Sequence, residues 1–233
     1  MSRLRSIARS FPVILAFAAS AAWSAGGGPM QMPTPQGGGS GPQMNPEMQA
    51  KVYYNSGVKQ VEKADKLEAS AAMLTDEKKK ARALKDSQSE YTSALGKFAQ
   101  VVKINPRLPE AWNYVGYTSR KLGHYEDALT SYQNALLLKP GYPEAIEYRG
   151  EAFLAVNRIA DAQQSYLDLF AANRALADKL LEAMKNWIAT QRSASASGDP
   201  TPVNDLDKWV QERAQIAAQT ASLTREGAAA SWR

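Results

Sequence analysis

Two stretches of this 233-residue chain, "NPRLPEAW" at 105–112 and "KPGYPEAI" at 139–146, carry Pro, Pro, Glu and Ala at matching places. The interval between them is 34 residues, and it recurs. Gly116 and Gly150 stand one interval apart, Ala94, Ala128 and Ala162 make three rungs, and Phe98, Tyr132 and Tyr166 make three more. An interval of this length, held by small and aromatic residues, leaves the fold little freedom. Each unit is too short to bury its own apolar face, so successive units must stack and share one continuous core. Pro106 and Pro140 stop the helix before them, while Pro109 and Pro143 suit the first turn of the next. Ala, Leu, Lys, Glu and Gln abound and β-branched runs are missing, so the units read as helical and the chain as all-α.

The segment "EAWNYVGYTSRKLGHYEDALTSYQNALLLKP" places Trp112, Val115, Gly116, Gly123, Tyr125, Ala128, Tyr132, Ala135 and Pro140 in the order and spacing of the tetratricopeptide repeat, which the chain resembles. The resemblance implies a helix-turn-helix solenoid. Small Gly116 and Ala128 let the two helices of a unit approach, and Tyr132 fills space toward the next. A following copy, 143–170, keeps Gly150, Phe153, Ala162 and Tyr166. It departs at Arg149, where an apolar residue is usual, and at Asn157 in the turn, where Asn tolerates the left-handed backbone that Gly otherwise supplies. A divergent first copy holds Gly57, Ala94, Phe98, Val101 and Pro106. Gly57 and Ala94 are 37 residues apart where Gly116 and Ala128 are 12, so this copy is stretched by 25. Shared between two helices, the excess adds about 19 Å to each at about 1.5 Å per residue. The expected architecture is a solenoid of about three units, the first divergent and elongated, closed by a C-terminal helical cap.

Ahead of the repeats, residues 1–25 read as a signal peptide. Arg3, Arg5 and Arg9 form a positive region, 11–19 is apolar, and small residues follow through Ala25. The apolar run is shorter than the about 20 residues that span a bilayer. Ala22 and Ser24 favour cleavage after Ser24. The chain has no cysteine, so it would be exported without disulfides or a cysteine-linked lipid, to the periplasm or beyond. It is similar in this architecture to small exported tetratricopeptide proteins of Gram-negative bacteria. Residues 26–45, rich in Gly, Pro and Met, cannot offset the entropy of ordering and read as a disordered linker. Met30, Met32, Met44 and Met48 would suit a cuprous ion, but without His or Cys beside them they read as linker residues. No metal or cofactor is expected. The formal charge of +5 falls to +2 once the three N-terminal arginines are set aside, leaving no electrostatic footprint for nucleic acid.

The repeats divide the rest. Asn45, Pro46 and Glu47 can cap and open a helix that reaches about Met73, and Thr75, Asp76 and Glu77 restart one that reaches Ile104, giving a long hairpin over 46–106. Two repeats fill 107–173. Leu176, Leu180, Met184, Trp187 and Ile188 line one side of a further helix. Leu206, Trp209, Val210, Ile216, Ala217 and Leu223 line another, interrupted by Arg213. The loop between them, 193–204, would end at Asn204 as N-cap. The pair makes a cap over 174–224, with a tail at 225–233, and its tryptophans read as core residues.

Nothing points to catalysis. His124 is the only histidine and falls in an inter-helix turn, and no phosphate loop, paired-histidine metal motif or serine elbow is present, so the chain is expected not to be an enzyme. The resemblance implies instead that the first helix of each unit lines a concave groove for a protein or peptide. Glu110, Asn113, Tyr117 and Arg120 fall on one such face, and Glu144, Glu147, Glu151 and Leu154 on the next. The Lys/Asn clamp that grips a C-terminal carboxylate in some relatives is not reproduced, because Glu147 and Glu151 would repel it. Tyrosines mixed with acids suit a segment bearing basic or apolar side chains. The leading expectation is an exported interaction scaffold with no stable membrane insertion after signal cleavage. The alternative is a periplasmic chaperone-like or assembly factor working through the hairpin of 46–104.

Overall fold

The computed structural model describes residues 44–194 and 201–230, with side chains described for 44–193 and 201–220. Residues 1–25, expected as signal peptide, and nearly all of 26–45, expected as linker, lie outside the described residues. Eight helices follow one another: α1 (Pro46–Ala72), α2 (Glu77–Ile104), α3 (Pro109–Lys121), α4 (Tyr125–Leu138), α5 (Pro143–Ala155), α6 (Ile159–Ala172), α7 (Arg174–Ala194) and α8 (Thr201–Ala230). Each packs chiefly on its neighbours in sequence, α1 on α2, α3 on α4 and α5 on α6, and the described residues share one compact unit, Gln43–Arg233. This is a helical-hairpin solenoid, with no strand among the described residues.

The helix starts follow local chemistry. Asn45 accepts from the Met48 N–H at 2.7 Å, and Asp76 accepts from the N–H groups of Lys78 and Lys79, so both long helices have capped donors. Helices α3 and α5 lack a side-chain cap and begin instead with Pro109 and Pro143, which surrender no N–H. The turns need left-handed backbone at Gly123 (φ 81°) and at Asn157 (φ 60°), the one positive-φ residue besides glycine among the described residues. The second repeat thus turns on Asn where the first uses Gly.

Packing inside the units is set by three glycines. A Cβ on Gly116 would stand 2.5 Å from Cε1 of Tyr132, and one on Gly57 would stand 2.7 Å from Cζ of Phe98. Gly57 therefore plays against α2 the part that Gly116 plays against α4, across a unit twice as long. Gly150 instead admits Leu180 of α7, whose Cδ2 would be 2.6 Å from an added Cβ. Phe98, Tyr132, Tyr166 and Leu180 are fully buried, each stabilising the stack by roughly 1.5–3 kcal/mol.

Helices α1 and α2 have 27 and 28 residues against 13 and 14 in α3 and α4, an excess of roughly 20 Å in each. At the other end, Leu180, Met184 and Ile188 of α7 and Leu206 and Val210 of α8 are buried. Trp209 meets the Tyr166 ring edge-on at 5.3 Å, and Arg213 lies 5.5 Å from the Trp209 ring, which is how its charge sits within an apolar stripe. Two details differ from the sequence reading. Helix α8 starts at Thr201, with Pro202 in its first turn, so Asn204 lies inside it and the helix runs on through Ala230, past the expected boundary at 224. Ile216 is exposed, although α7 reaches past it, Arg174 donating to the Ala217 carbonyl at 3.1 Å, so this part of the apolar stripe does not face α7.

Candidate functional site

Helices α1, α3 and α5 lie side by side and enclose a cleft of about 340 Å³. Helix α1 supplies Tyr54, Val58, Val61, Glu62 and Asp65, helix α3 supplies Asn113, Tyr114 and Tyr117, and Tyr142, Glu144 and Tyr148 close the α5 side. Each stripe follows from helical spacing of three or four residues. The lining thus has five tyrosines, three acids and no Lys, Arg or His.

The aromatic walls are fixed by packing. Tyr114 stacks on Phe98 with ring centroids 4.6 Å apart, Tyr54 meets Tyr114 edge-on at 5.7 Å, and Tyr117 leans on Tyr148 at 5.0 Å. Asp65 accepts hydrogen bonds on one oxygen from Tyr117 Oη at 2.7 Å and Tyr91 Oη at 2.5 Å, tying α1, α2 and α3 at one point. Burial, then the neighbouring Tyr114 and Glu110, push the Tyr54 phenol up to about 12. Burial and the charges of Glu62 and Asp65 raise Tyr114, and burial with Glu144 and Glu110 raises Tyr142. All these hydroxyls stay protonated at neutral pH, and the groove's acids set the local potential.

Next along the groove is an ionic cluster. Arg120 of α3 is paired with Glu151 of α5, and its guanidinium lies 5.4 Å from the centroids of both Tyr117 and Tyr148. Burial opposes the Arg120 charge, but Glu151 and the surrounding tyrosine hydroxyls outweigh it and hold the pKa above its ordinary value. Beneath lies Glu147, only 3 % exposed. Burial first, then the charge and hydrogen bond of Glu151, push its carboxyl up to about 8, against the pull of Arg120 and Lys179. Glu147 is therefore largely a neutral acid at pH 7. Lys121 pairs with Glu68 of α1, and Lys139 pairs with Glu110 at 3.6 Å while lying 4.3 Å from the Tyr142 ring.

The eight residues read from sequence thus separate. Asn113, Tyr117 and Glu144 line the cleft. Glu110 lines an adjoining, more apolar hollow of about 600 Å³ with Pro46, Ala50, Tyr54, Ile104 and Leu108. Arg120, Glu151 and Leu154 border a third hollow of about 320 Å³ with Trp187. Glu147 and Leu154 are buried where an open groove face was expected, because α7 packs against α5 and covers that end. Asn113 is also buried, at 5 % exposure, and its Oδ1 has no hydrogen-bond partner. The α1 wall was missed in the sequence, although Tyr54, Val58, Glu62 and Asp65 are spaced for one helical face. His124 sits exposed at the N-cap position of α4 without a capping bond. Among the described residues no cluster of three His, Asp or Glu could hold a metal, and no helix is long and apolar enough to cross a membrane.

The family model for the tetratricopeptide repeat matches residues 109–142. Among solved structures, a mutant O-GlcNAc transferase of Thermobaculum terrenum is similar over 73 % of this chain and 27 % of its own, at 16 % identity and a TM-score of 0.41. MamA of AMB-1 is similar over 54 % of this chain and 73 % of its own, at 20 % identity and a TM-score of 0.35. The chain spans about a quarter of the transferase's length. No curated protein matches. The matched segment, 109–142, is the unit whose proline-started, glycine-turned hairpin sets the 34-residue interval, and over those residues the chain carries a tetratricopeptide repeat.

Proposed function

We propose that this protein is an exported interaction scaffold that holds a segment of another protein along the face made by α1, α3 and α5. The observation that carries the reading is the cleft itself, whose tyrosine walls are locked by ring contacts and whose acids have no cationic partner among the described residues. Rigid aromatic surface offers contact area at low entropic cost, and acids at the rim steer the approach of a basic segment. The export expectation rests on the N-terminal sequence, with Arg3, Arg5, Arg9 and the apolar run after them. In this reading the chain performs no catalysis, requires no cofactor or metal, and does not engage nucleic acid.

The test is affinity isolation from a periplasmic extract with the full chain and with a Glu62→Lys/Glu144→Lys variant, both exposed positions. The native chain should recover a partner that the variant loses at unchanged helicity. A partner indifferent to both changes, or none, refutes the groove reading.

A second reading has one observation in its favour. The hollow beside the start of α1 is largely apolar, and Met48 and Val52 lie exposed on the same helix. Such a surface suits unfolded exported chains, as in a chaperone or assembly factor. It predicts suppression of client aggregation that survives the groove variant and weakens on Val52→Glu.

A further inference from the structure

We propose that the cleft between α1, α3 and α5 is a subsite for an arginine side chain of the bound segment, an inference that rests on the scaffold reading and names what the groove selects. Three features of the cleft point to one ligand chemistry.

The first is uncompensated charge. Glu62, Asp65 and Glu144 line the cleft, and no Lys, Arg or His lines it with them. The described residues give none of the three a salt-bridge partner. The cations that flank the cleft already have acids of their own: Arg120 is held by Glu151 and Lys139 by Glu110. An incoming positive charge meets a vacant counter-charge and displaces no existing pair.

The second is an orphaned acceptor. Asn113 is almost fully buried among the lining residues, and its Oδ1 has no hydrogen-bond partner. A buried carbonyl left in this state is costly, and because the atom is itself enclosed the cost is recovered when the Asn113 side chain turns toward a donor in the cleft. That donor cannot be a quaternary ammonium, which has no N–H, so an aromatic cage for trimethylated amines is excluded by the same atom.

The third is the shape of the walls. Tyr54, Tyr114, Tyr117, Tyr142 and Tyr148 present π faces and edges, and their hydroxyls stay protonated, so they attract cations without adding formal charge. Arg120 already shows the geometry, lying 5.4 Å from two of these rings. A planar guanidinium stacks on such rings and offers five N–H donors in a fixed fork. Here the acceptors are spread over three helices: Glu62 and Asp65 on α1, Asn113 on α3 and Glu144 on α5. A fork that points donors several ways at once satisfies dispersed acceptors better than the compact ammonium of lysine. The volume of about 340 Å³ accommodates the guanidinium and its aliphatic stem.

The test uses the full chain and nine-residue peptide libraries with a fixed central position, either Arg, Lys, citrulline, trimethyllysine or norleucine, and mixed residues elsewhere. The Arg library should bind about tenfold more tightly than the citrulline and norleucine libraries, and measurably more tightly than Lys. The exposed double change Glu62→Gln/Glu144→Gln should reduce the preference over citrulline about tenfold, and Asn113→Ala should reduce the preference over norleucine about tenfold, both with far-UV dichroism unchanged. Lys or trimethyllysine binding as well as Arg overturns the guanidinium assignment. Equal binding of all libraries that is lost on Glu62→Lys/Glu144→Lys overturns the subsite and leaves the scaffold reading standing. Failure of every library to bind overturns both.

Discussion

Glu147→Gln isolates the buried carboxyl beneath the groove, because the amide keeps the side chain's shape and cannot ionise. The native carboxyl titrates near 8 where its ordinary value is 4.5. Between those values the folded chain holds a proton that the unfolded chain has released, so stability is fully present below 4.5 and is lost as pH rises through 8. The slope across this window is about 1.4 kcal/mol per pH unit, an upper bound of roughly 5 kcal/mol in total. Glu151 on the same helix, Arg120 on α3 and Lys179 on α7 all act on the site, with the Tyr148 hydroxyl nearby. Because these groups share and rearrange around the charge, about 2–3 kcal/mol is the expected net effect. Urea unfolding at pH 5, 6, 7, 8 and 9, followed by dichroism, measures it. The Gln variant should gain on the native chain by that amount between pH 5 and pH 9. A difference between the two proteins that stays constant over this range refutes the reasoning, since titrating groups away from this cluster behave alike in both proteins and cancel.

Gly116→Ala should cost about 2–3 kcal/mol in urea unfolding, because its methyl would meet Cε1 of Tyr132 at 2.5 Å and that ring is fully buried. Gly96→Ala, on an exposed helical face with nothing within 4 Å, should stabilise by about 0.5–1 kcal/mol in the same assay. Tyr117→Phe removes one of the two donors to Asp65 and should cost about 1–2 kcal/mol, while Tyr91 keeps the carboxylate partly satisfied. A melting temperature unchanged by Tyr117→Phe would show that this junction is not a stabilising one.

The parts of the fold that were readable share a local cause. Asn45 and Asp76 cap the helices they precede, and Pro109 and Pro143 open theirs, because capping and proline geometry depend on only a few neighbouring residues. Gly57 was placed through its counterpart Gly116, and the contact with Phe98 explains why both must be small. At the start of α8 two local signals competed, and Pro202 in the first turn prevailed over Asn204 as a cap. The groove was read less completely. The α1 wall lies in the stretched copy, off the 34-residue interval; the register of Gly57 with Gly116 sets Tyr54 opposite Asn113, but Asp65 falls in the added length. Glu147 has the spacing of a groove residue, yet it is buried, since spacing within α5 cannot report that α7 will lie over it. Tyr142 and Tyr148 join the cleft across the gap between α3 and α5, a relation set by stacking that no single helix encodes.

Asp65 has a mechanical consequence. By accepting from Tyr91 and Tyr117 it pins three helices at a position well inside α1, with the cleft on the N-terminal side and the projecting end of the long hairpin on the other. The hairpin is then a rigid beam resting on a fulcrum. Its outer end is tied to the α3 wall of the cleft through two neighbouring carboxylates, Asp65 and, one turn further out, Glu68 with its partner Lys121.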